Sequence, residues 1–182
     1  MRPAAIAQRE AEEEDFLDLN MGGPAPETVG HGAGSGLLRN PALAGAMAEA
    51  AVKASKKPVT GKMRIGWDDT TRTGPEVAQR CEAAGVQLIA VHARTRAQQY
   101  TPGVDYPAVA EIKRAVSIPV LVNGDITDAA SALRAVEETG CDGVLVGRGA
   151  KGSPWVFREI AAGLQGQPVP APPSLRERRA VV

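Results

Sequence analysis

Residues 88–126 read LIAVHARTRAQQYTPGVDYPAVAEIKRAVSIPVLVNGDI. The apolar burst Leu88–His92 has the length of a β-strand, and so does Val120–Asn123. Between them, Ala108–Ala115 carries a helical pattern, so the stretch reads strand, helix, strand. The same alternation continues in both directions. Phe16–Asn20, Val59–Ile65 (entered from Lys57-Pro58) and Gly143–Val146 are further strand-length bursts. Pro41–Lys53, Pro75–Ala84 and Asp128–Thr139 are helical patterns, and a last helix is expected from about Pro154, with proline in its first turn. Asp128 suits an N-cap, and Gly85 and Gly140 suit helix stops. Strands alternating with helices imply βαβ units and a parallel sheet, hence an α/β protein. From the second strand on, successive strands start 29, 32 and 23 residues apart, the size of units in barrels and doubly wound sheets. Five such units are legible. A (β/α)8 barrel has eight, in about 250 residues. The expectation is a partial TIM barrel, three strands short of a closed one.

Lys and Arg number 21, as do Asp and Glu, so the formal charge balances in a chain of 182 residues. That balance excludes a strongly basic nucleic-acid wrap or an acidic tail, but not a local basic patch. Aromatics are only 3% of the chain, so the core must be built from Ala, Val, Leu and Ile. Two cysteines, Cys81 and Cys141, make neither a disulfide framework nor a four-thiolate metal site and read as small buried thiols. No signal peptide and no membrane-length apolar run is legible, so a soluble, cytoplasmic protein with no membrane or metal partner is expected. Residues 1–14 form a polar lead-in, and 15–164 the barrel domain. Residues 165–182 form a Pro-rich linker ending in Arg176, Arg178 and Arg179, as though a further helical domain were beginning.

The chemistry-bearing residues stand where the strands end. Asp18-Leu19-Asn20-Met21-Gly22-Gly23-Pro24 closes the first strand and Lys62-Met63-Arg64 the second. His92-Ala93-Arg94-Thr95, Asn123-Gly124-Asp125 and Gly147-Arg148-Gly149 close the other three. In a parallel α/β fold these carboxyl ends share the face that holds the site. Lys62, His92, Asn123 and Arg148 arriving there together are hard to explain as packing. Gly124 and Gly147 allow close approach of backbone N–H groups, and the helices after them present positive ends, so the last two turns suit an anion. Gly30–Gly36 is not a dinucleotide fingerprint. It begins ten residues after the strand, and its sixth position is Ser35. It reads as a flexible loop, from which His31 faces either substrate or solvent. No HExxH, P-loop or serine-elbow motif is present.

Six ordered motifs resemble the tRNA-dihydrouridine synthases. They are Asn20-Met21-Gly22-Gly23-Pro24-Ala25, Ala33-Gly34-Ser35-Gly36-Leu37-Leu38, Lys62-Met63-Arg64, His92-Ala93-Arg94-Thr95, Asn123-Gly124-Asp125-Ile126 and Gly147-Arg148-Gly149-Ala150. Lys151–Phe157 is similar to the same family's closing segment, and the likeness runs from about Phe16 to Pro173. It is strongest to the bacterial type that carries Asn-Met-Gly-Cys-Pro. The resemblance implies an FMN-binding TIM barrel followed by a helical domain that grips tRNA. It implies reduction of a tRNA uridine to 5,6-dihydrouridine by hydride from FMN, which NADPH reloads. Lys62 and His92 would contact the flavin. Asn123, Gly124, Asp125, Gly147 and Arg148 would hold its ribityl phosphate. Arg94 and Arg96 would meet tRNA phosphate, and the target uridine would be flipped into the pocket.

The chain departs from that pattern in three ways. Gly23 stands where the family has the cysteine that protonates the uracil carbon, and neither Cys81 nor Cys141 matches that position, so no catalytic residue carries over. The family's first three strands are absent, and the helical domain stops after its linker. An incomplete or inactive chain is therefore expected. Two alternatives stand beside the family reading. One is a non-catalytic remnant that binds FMN, phosphate or RNA. The other is a different FMN- or phosphate-binding barrel oxidoreductase, such as a dihydroorotate dehydrogenase relative. Asn-Met-Gly-Gly-Pro together with Gly-Arg-Gly-Ala argues against the latter.

Overall fold

The computed structural model describes residues 15–179. Five strands form one parallel sheet in sequential order: β1 (Leu17–Asn20), β2 (Val59–Arg64), β3 (Leu88–His92), β4 (Val120–Asn123) and β5 (Gly143–Leu145). Sequential order with a helical crossover between neighbours is the winding of a TIM barrel, here five consecutive βα units. The crossovers are α1 (Pro26–Gly30) with α2 (Pro41–Ala54), then α3 (Gly74–Ala83), α4 (Tyr106–Ala115) and α5 (Ala129–Thr139). After β5 come α6 (Val156–Leu164) and the short α7 (Leu175–Arg179). The lead-in at residues 1–14 lies outside the described residues.

Local chemistry accounts for the element ends. The side chains of Asn40, Asp105 and Asp128 each accept from a backbone N–H in the first turn of the helix that follows. Asp128 and Ser131 bond reciprocally as a capping box. Gly140 closes α5 in the left-handed conformation, at φ 67. The expected strand Val59–Ile65 ends one residue early, at Arg64, and Gly143–Val146 ends at Leu145. The last helix starts at Val156, so Pro154 precedes it rather than sitting in its first turn.

The Gly30–Gly36 segment corrects the expectation of a flexible loop. Gly34–Arg39 forms a 3-10 helix whose Gly34, Ser35, Leu37 and Leu38 are buried. Ser35 donates to the Gly23 carbonyl through both its backbone N–H and its hydroxyl, each at 3.0 Å. Gly34 serves close packing here, since a Cβ on it would lie 2.7 Å from the Gly23 oxygen.

One sheet face packs on the helices. Val59, Met63, Ile89, Val91, Val120 and Val122 are each no more than 2% exposed. Against them lie Ala44 and Ala48 of α2, Val77 and Ala78 of α3, Val109 and Ile112 of α4, and Ala132 and Ala135 of α5. Small side chains let the helices sit close to the sheet, which is how a chain so poor in aromatics fills its core. Because strand side chains alternate, the polar residues Asn20, Lys62, Arg64, His92 and Asn123 fall on the other face, all near the carboxyl edge.

Gly74 begins α3 in direct contact with β2 and α4. A Cβ there would lie 2.7 Å from both the Ile65 carbonyl oxygen and Ile112 Cδ1. Gly74→Ala is expected to lower the free energy of urea unfolding by about 1–3 kcal/mol. Gly30→Ala, where nothing lies within 4 Å, should change it by no more than about 0.5 kcal/mol. Equal losses for the two variants would contradict this packing.

Candidate functional site

The carboxyl edge of the sheet opens into a cavity of about 650 Å³. Lys62, His92, Asn123, Gly124, Asp125, Gly147 and Arg148 all line it, so the structure brings together seven of the nine expected site residues. Asn20, Gly23, Arg64 and Tyr100 join them.

Asn123 organises the floor. Its Nδ2 donates to the Leu145 carbonyl at 2.7 Å, which turns Oδ1 toward His92 Nδ1, also at 2.7 Å. A carbonyl oxygen accepts, so His92 Nδ1 carries the proton and Nε2 is left as the lone-pair nitrogen. Arg94 Nη1 lies 3.4 Å from that Nε2. Burial, reinforced by the charges of Arg64, Lys62 and Arg94 against the opposing Asn123 bond, pulls the His92 pKa down to about 4. His92 is therefore a neutral donor to Asn123.

Arg64 crosses beneath the mouth. Its Nε donates to the Gly22 carbonyl at 3.0 Å, and its Nη1 donates to the carbonyls of Thr95 at 3.1 Å and Gln99 at 3.2 Å. Three carbonyls and no carboxylate hold this buried cation, and burial sets its pKa below the usual value. The β1 turn is tied down in parallel, with Asn20 Oδ1 accepting from the N–H groups of Gly22 and Gly23 at 3.2 and 3.1 Å. Lys62 shares the floor. Burial first, then repulsion by Arg64, lowers its amine to about 8, with Asp18 opposing.

The β4 turn is strained where it meets the cavity. Gly124 has φ 129 and Asp125 φ 51, and the latter is a left-handed conformation that a non-glycine residue rarely adopts. The Tyr106 hydroxyl donates to the Gly124 carbonyl at 2.9 Å and helps hold the turn. Asp125 accepts from Arg94 Nη2 and, at 3.1 Å, from Arg148 Nη2. The Arg94 bond first, and then the charges of Arg94 and Arg148, hold its carboxyl below the ordinary carboxylate range. Arg148 also lies 5.0 Å from the centroid of the Tyr100 ring, with Arg64 at 5.7 Å. Lys62, Arg64 and Arg148 thus face the cavity with Asp125 as the carboxylate in its lining, and that carboxylate is already paired. The arrangement suits an anionic ligand.

Arg94 and Arg96 do not join this lining. Arg94 is 1% exposed and spends its guanidinium on Asp125, His92 and the Thr101 carbonyl, so it braces the site from within instead of meeting a partner at the surface. Arg96 is half-buried, with its guanidinium 4.7 Å from the Trp67 ring centroid. His31 is exposed and not in the lining. Cys81 and Cys141 are buried in the core, and burial pushes the Cys81 thiol up to about 11. Sequence reasoning gave no role to Asn20, Arg64 or Tyr100. The first two had a signal, since two-residue alternation puts Asn20 and Arg64 on the face of Lys62 and His92. Tyr100 lies in a loop and had none. Among the described residues no group of three or more His, Cys, Asp or Glu is placed to hold a metal, and no helix is long and apolar enough to cross a membrane.

The buried neutral histidine has a consequence for stability. The unfolded chain takes up a proton near His92's ordinary 6.5, the folded chain only near 4. Unfolding is therefore increasingly favoured as pH falls through that window, and the contribution is fully present only above 6.5. Between pH ~7 and ~5 the parent should lose about 1–2 kcal/mol more than His92→Gln in urea unfolding. Parallel losses in the two proteins would contradict a neutral His92.

The family model for Dihydrouridine synthase (Dus) matches residues 2–182. A probable tRNA-dihydrouridine synthase of Rhodobacter capsulatus is 51% identical over 160 residues, covering 88% of this chain and 49% of that protein. The tRNA-dihydrouridine synthase B of Pseudomonas aeruginosa is 48% identical over 172 residues, covering 93% of this chain and 52% of that protein. The chain spans about half the length of these curated relatives. Among solved structures, a dihydrodipicolinate synthase from Agrobacterium tumefaciens superposes with a TM-score of 0.58 at 15% identity, over 85% of this chain and 51% of the other. A phosphonopyruvate hydrolase complexed with oxalate and Mg++ gives 0.58 at 17% identity, over 94% and 62%. Those two likenesses concern the fold alone. With its whole described length matched by the family model and about half its residues shared with such relatives, the chain belongs to the dihydrouridine synthase family.

Proposed function

We propose that this chain forms the flavin-facing part of a tRNA-dihydrouridine synthase, which reduces a tRNA uridine to 5,6-dihydrouridine with FMN and NADPH. The observation that carries the reading is the convergence of Lys62, His92, Asn123, Gly124, Asp125, Gly147 and Arg148 on one cationic cavity in a member of this family. FMN, when bound, supplies the hydride and is reloaded by NADPH. The residues present fit such a group. A Cβ on Gly147 would meet nothing within 4 Å, so its backbone faces open space in which a phosphate can sit. Arg148 is exposed enough to turn toward that phosphate, and Arg94 continues to neutralise Asp125 when it does. Lys62 carries its positive charge at neutral pH and sits on the floor where a flavin ring would lie. His92, locked to Asn123, keeps its proton on Nδ1 and presents no acidic imidazolium. In this reading residues 165–182 are the linker and the start of a helical domain that grips tRNA, with α7 (Leu175–Arg179) its first described helix.

Gly23 lies at the mouth beside Asn20 and has no proton to donate. It favours a second reading, in which the chain binds its ligands with little turnover. An added Cβ would come no closer than 3.8 Å, to Asn20 Oδ1, so a side chain is accommodated there. General acid catalysis is worth about 10²–10⁴-fold, and water replaces only part of it. Residues 16–173 can be grafted into the corresponding segment of the Rhodobacter capsulatus relative. The graft is expected to form dihydrouridine slowly in single turnover, and Gly23→Cys should speed it at least about tenfold. Equal rates would show that another group donates the proton. Independently, Arg148→Ala should weaken FMN binding by the protein about tenfold to a hundredfold, the worth of a charge-assisted phosphate contact. Unchanged affinity would remove Arg148 from the phosphate site.

A further inference from the structure

Beside the cavity three side chains from three different segments meet. Arg39 ends the 3-10 helix, Trp67 follows β2 and Arg96 follows β3. The two loops run side by side beyond the strand ends, with Arg96 N–H donating to the Gly66 carbonyl and Ala97 N–H to the Trp67 carbonyl, both at 2.9 Å. The Cζ of Arg39 lies 5.1 Å from the indole centroid and that of Arg96 4.7 Å. Neither guanidinium makes a hydrogen bond or an ion pair among the described residues, and Arg96 Nε is buried without a partner. The adjacent acids are already engaged. Asp68 accepts from the N–H groups of Thr70 and Thr71, and Asp69 pairs with Arg72.

Packing alone explains one arginine on a tryptophan. It does not explain two like charges on the same ring with no acid between them. A guanidinium packed on a ring and bonded to no acid leaves its terminal N–H groups available, and those match phosphate oxygens bidentately. Centres 5.1 and 4.7 Å from one centroid are at most about 10 Å apart, a span that covers a few consecutive phosphates of a strand at ~3.4 Å each along its axis. Arg64 carries a third positive charge close by, and Arg96 is among the cations that depress its pKa. We infer that Arg39 and Arg96, spread on Trp67, clamp the phosphodiester backbone of the RNA strand whose base enters the cavity. This rests on the tRNA reading above and adds where the strand is gripped. Trp67 positions the two arginines, and they make the contact.

The test is fluorescence-polarisation titration of an unmodified tRNA transcript with the 182-residue protein across a series of salt concentrations, with an FMN titration of each variant alongside. Arg39→Gln and Arg96→Gln should each reduce the slope of log affinity against log salt by about 1. Each should weaken tRNA binding about five- to tenfold near ~0.1 M salt, with FMN affinity changed by less than about twofold. Arg39→Lys, which keeps the charge but loses the fork, should fall between Arg39→Gln and the parent. Parental tRNA affinity and slope in both glutamine variants would overturn the clamp alone. Loss of FMN and tRNA binding together would also overturn it, by showing that these residues support the fold. A parent that binds FMN but shows no salt-sensitive tRNA binding would overturn both the clamp and the tRNA reading, while leaving the flavin site standing.

Discussion

The Asn123 side chain joins the ends of three strands at the point where the ligand cavity begins. Its amide donates to Leu145 at the end of β5 and accepts from His92 at the end of β3, while its own backbone closes β4. Two consequences follow. The three strand ends keep a common height, so that His92, Asp125 and Arg148 face one space. The histidine is also confined to one tautomer and one charge. An aspartate could accept from His92 but could not donate to Leu145, and an aliphatic residue could do neither. A buried polar chain of this kind holds its geometry only while each member is satisfied.

Around that chain the electrostatics are one-sided. The molecule balances its charges overall, yet its site face gathers Lys62, Arg64, Arg94 and Arg148 around Asp125. The strain and the repulsion have a shared logic. Arg94 pulls Asp125 into its left-handed turn, Asp125 holds Arg148 at the mouth, and the unpaired charge of Arg64 and Lys62 is left for a ligand to neutralise. Burial first, and the neighbouring charge of Arg64 second, lower the Lys62 pKa, and holding its ammonium there costs stability in the free protein. It is repaid only when an anion arrives.

Much of this was legible in the residues. Strand-length apolar bursts separated by helical patterns placed all five strands to within a residue at either end, because a parallel strand packed under helices needs a short run of Val, Ile and Leu. Seven site residues were legible because strand ends of a parallel sheet share a face. Arg94 was not. The motif His92-Ala93-Arg94 carries no mark that its arginine turns inward, and only the position of Asp125 on the next turn explains it. The Gly30–Gly36 stretch misled for a related reason. Its glycines suggested freedom, whereas the missing side chain of Gly34 admits the Gly23 carbonyl, to which Ser35 is bonded. Tyr100 and the Arg39–Trp67–Arg96 cluster depend on loops meeting in space, which periodicity does not encode.

Asn123 fixes His92 as a neutral ring protonated at Nδ1, and the cavity floor is built on that arrangement. The ¹⁵N chemical shifts of the His92 ring, recorded near pH ~6 with and without FMN, test it most directly. A protonated Nδ1 and a lone-pair Nε2 are expected in both spectra. An imidazolium signal, or a proton residing on Nε2, would contradict it.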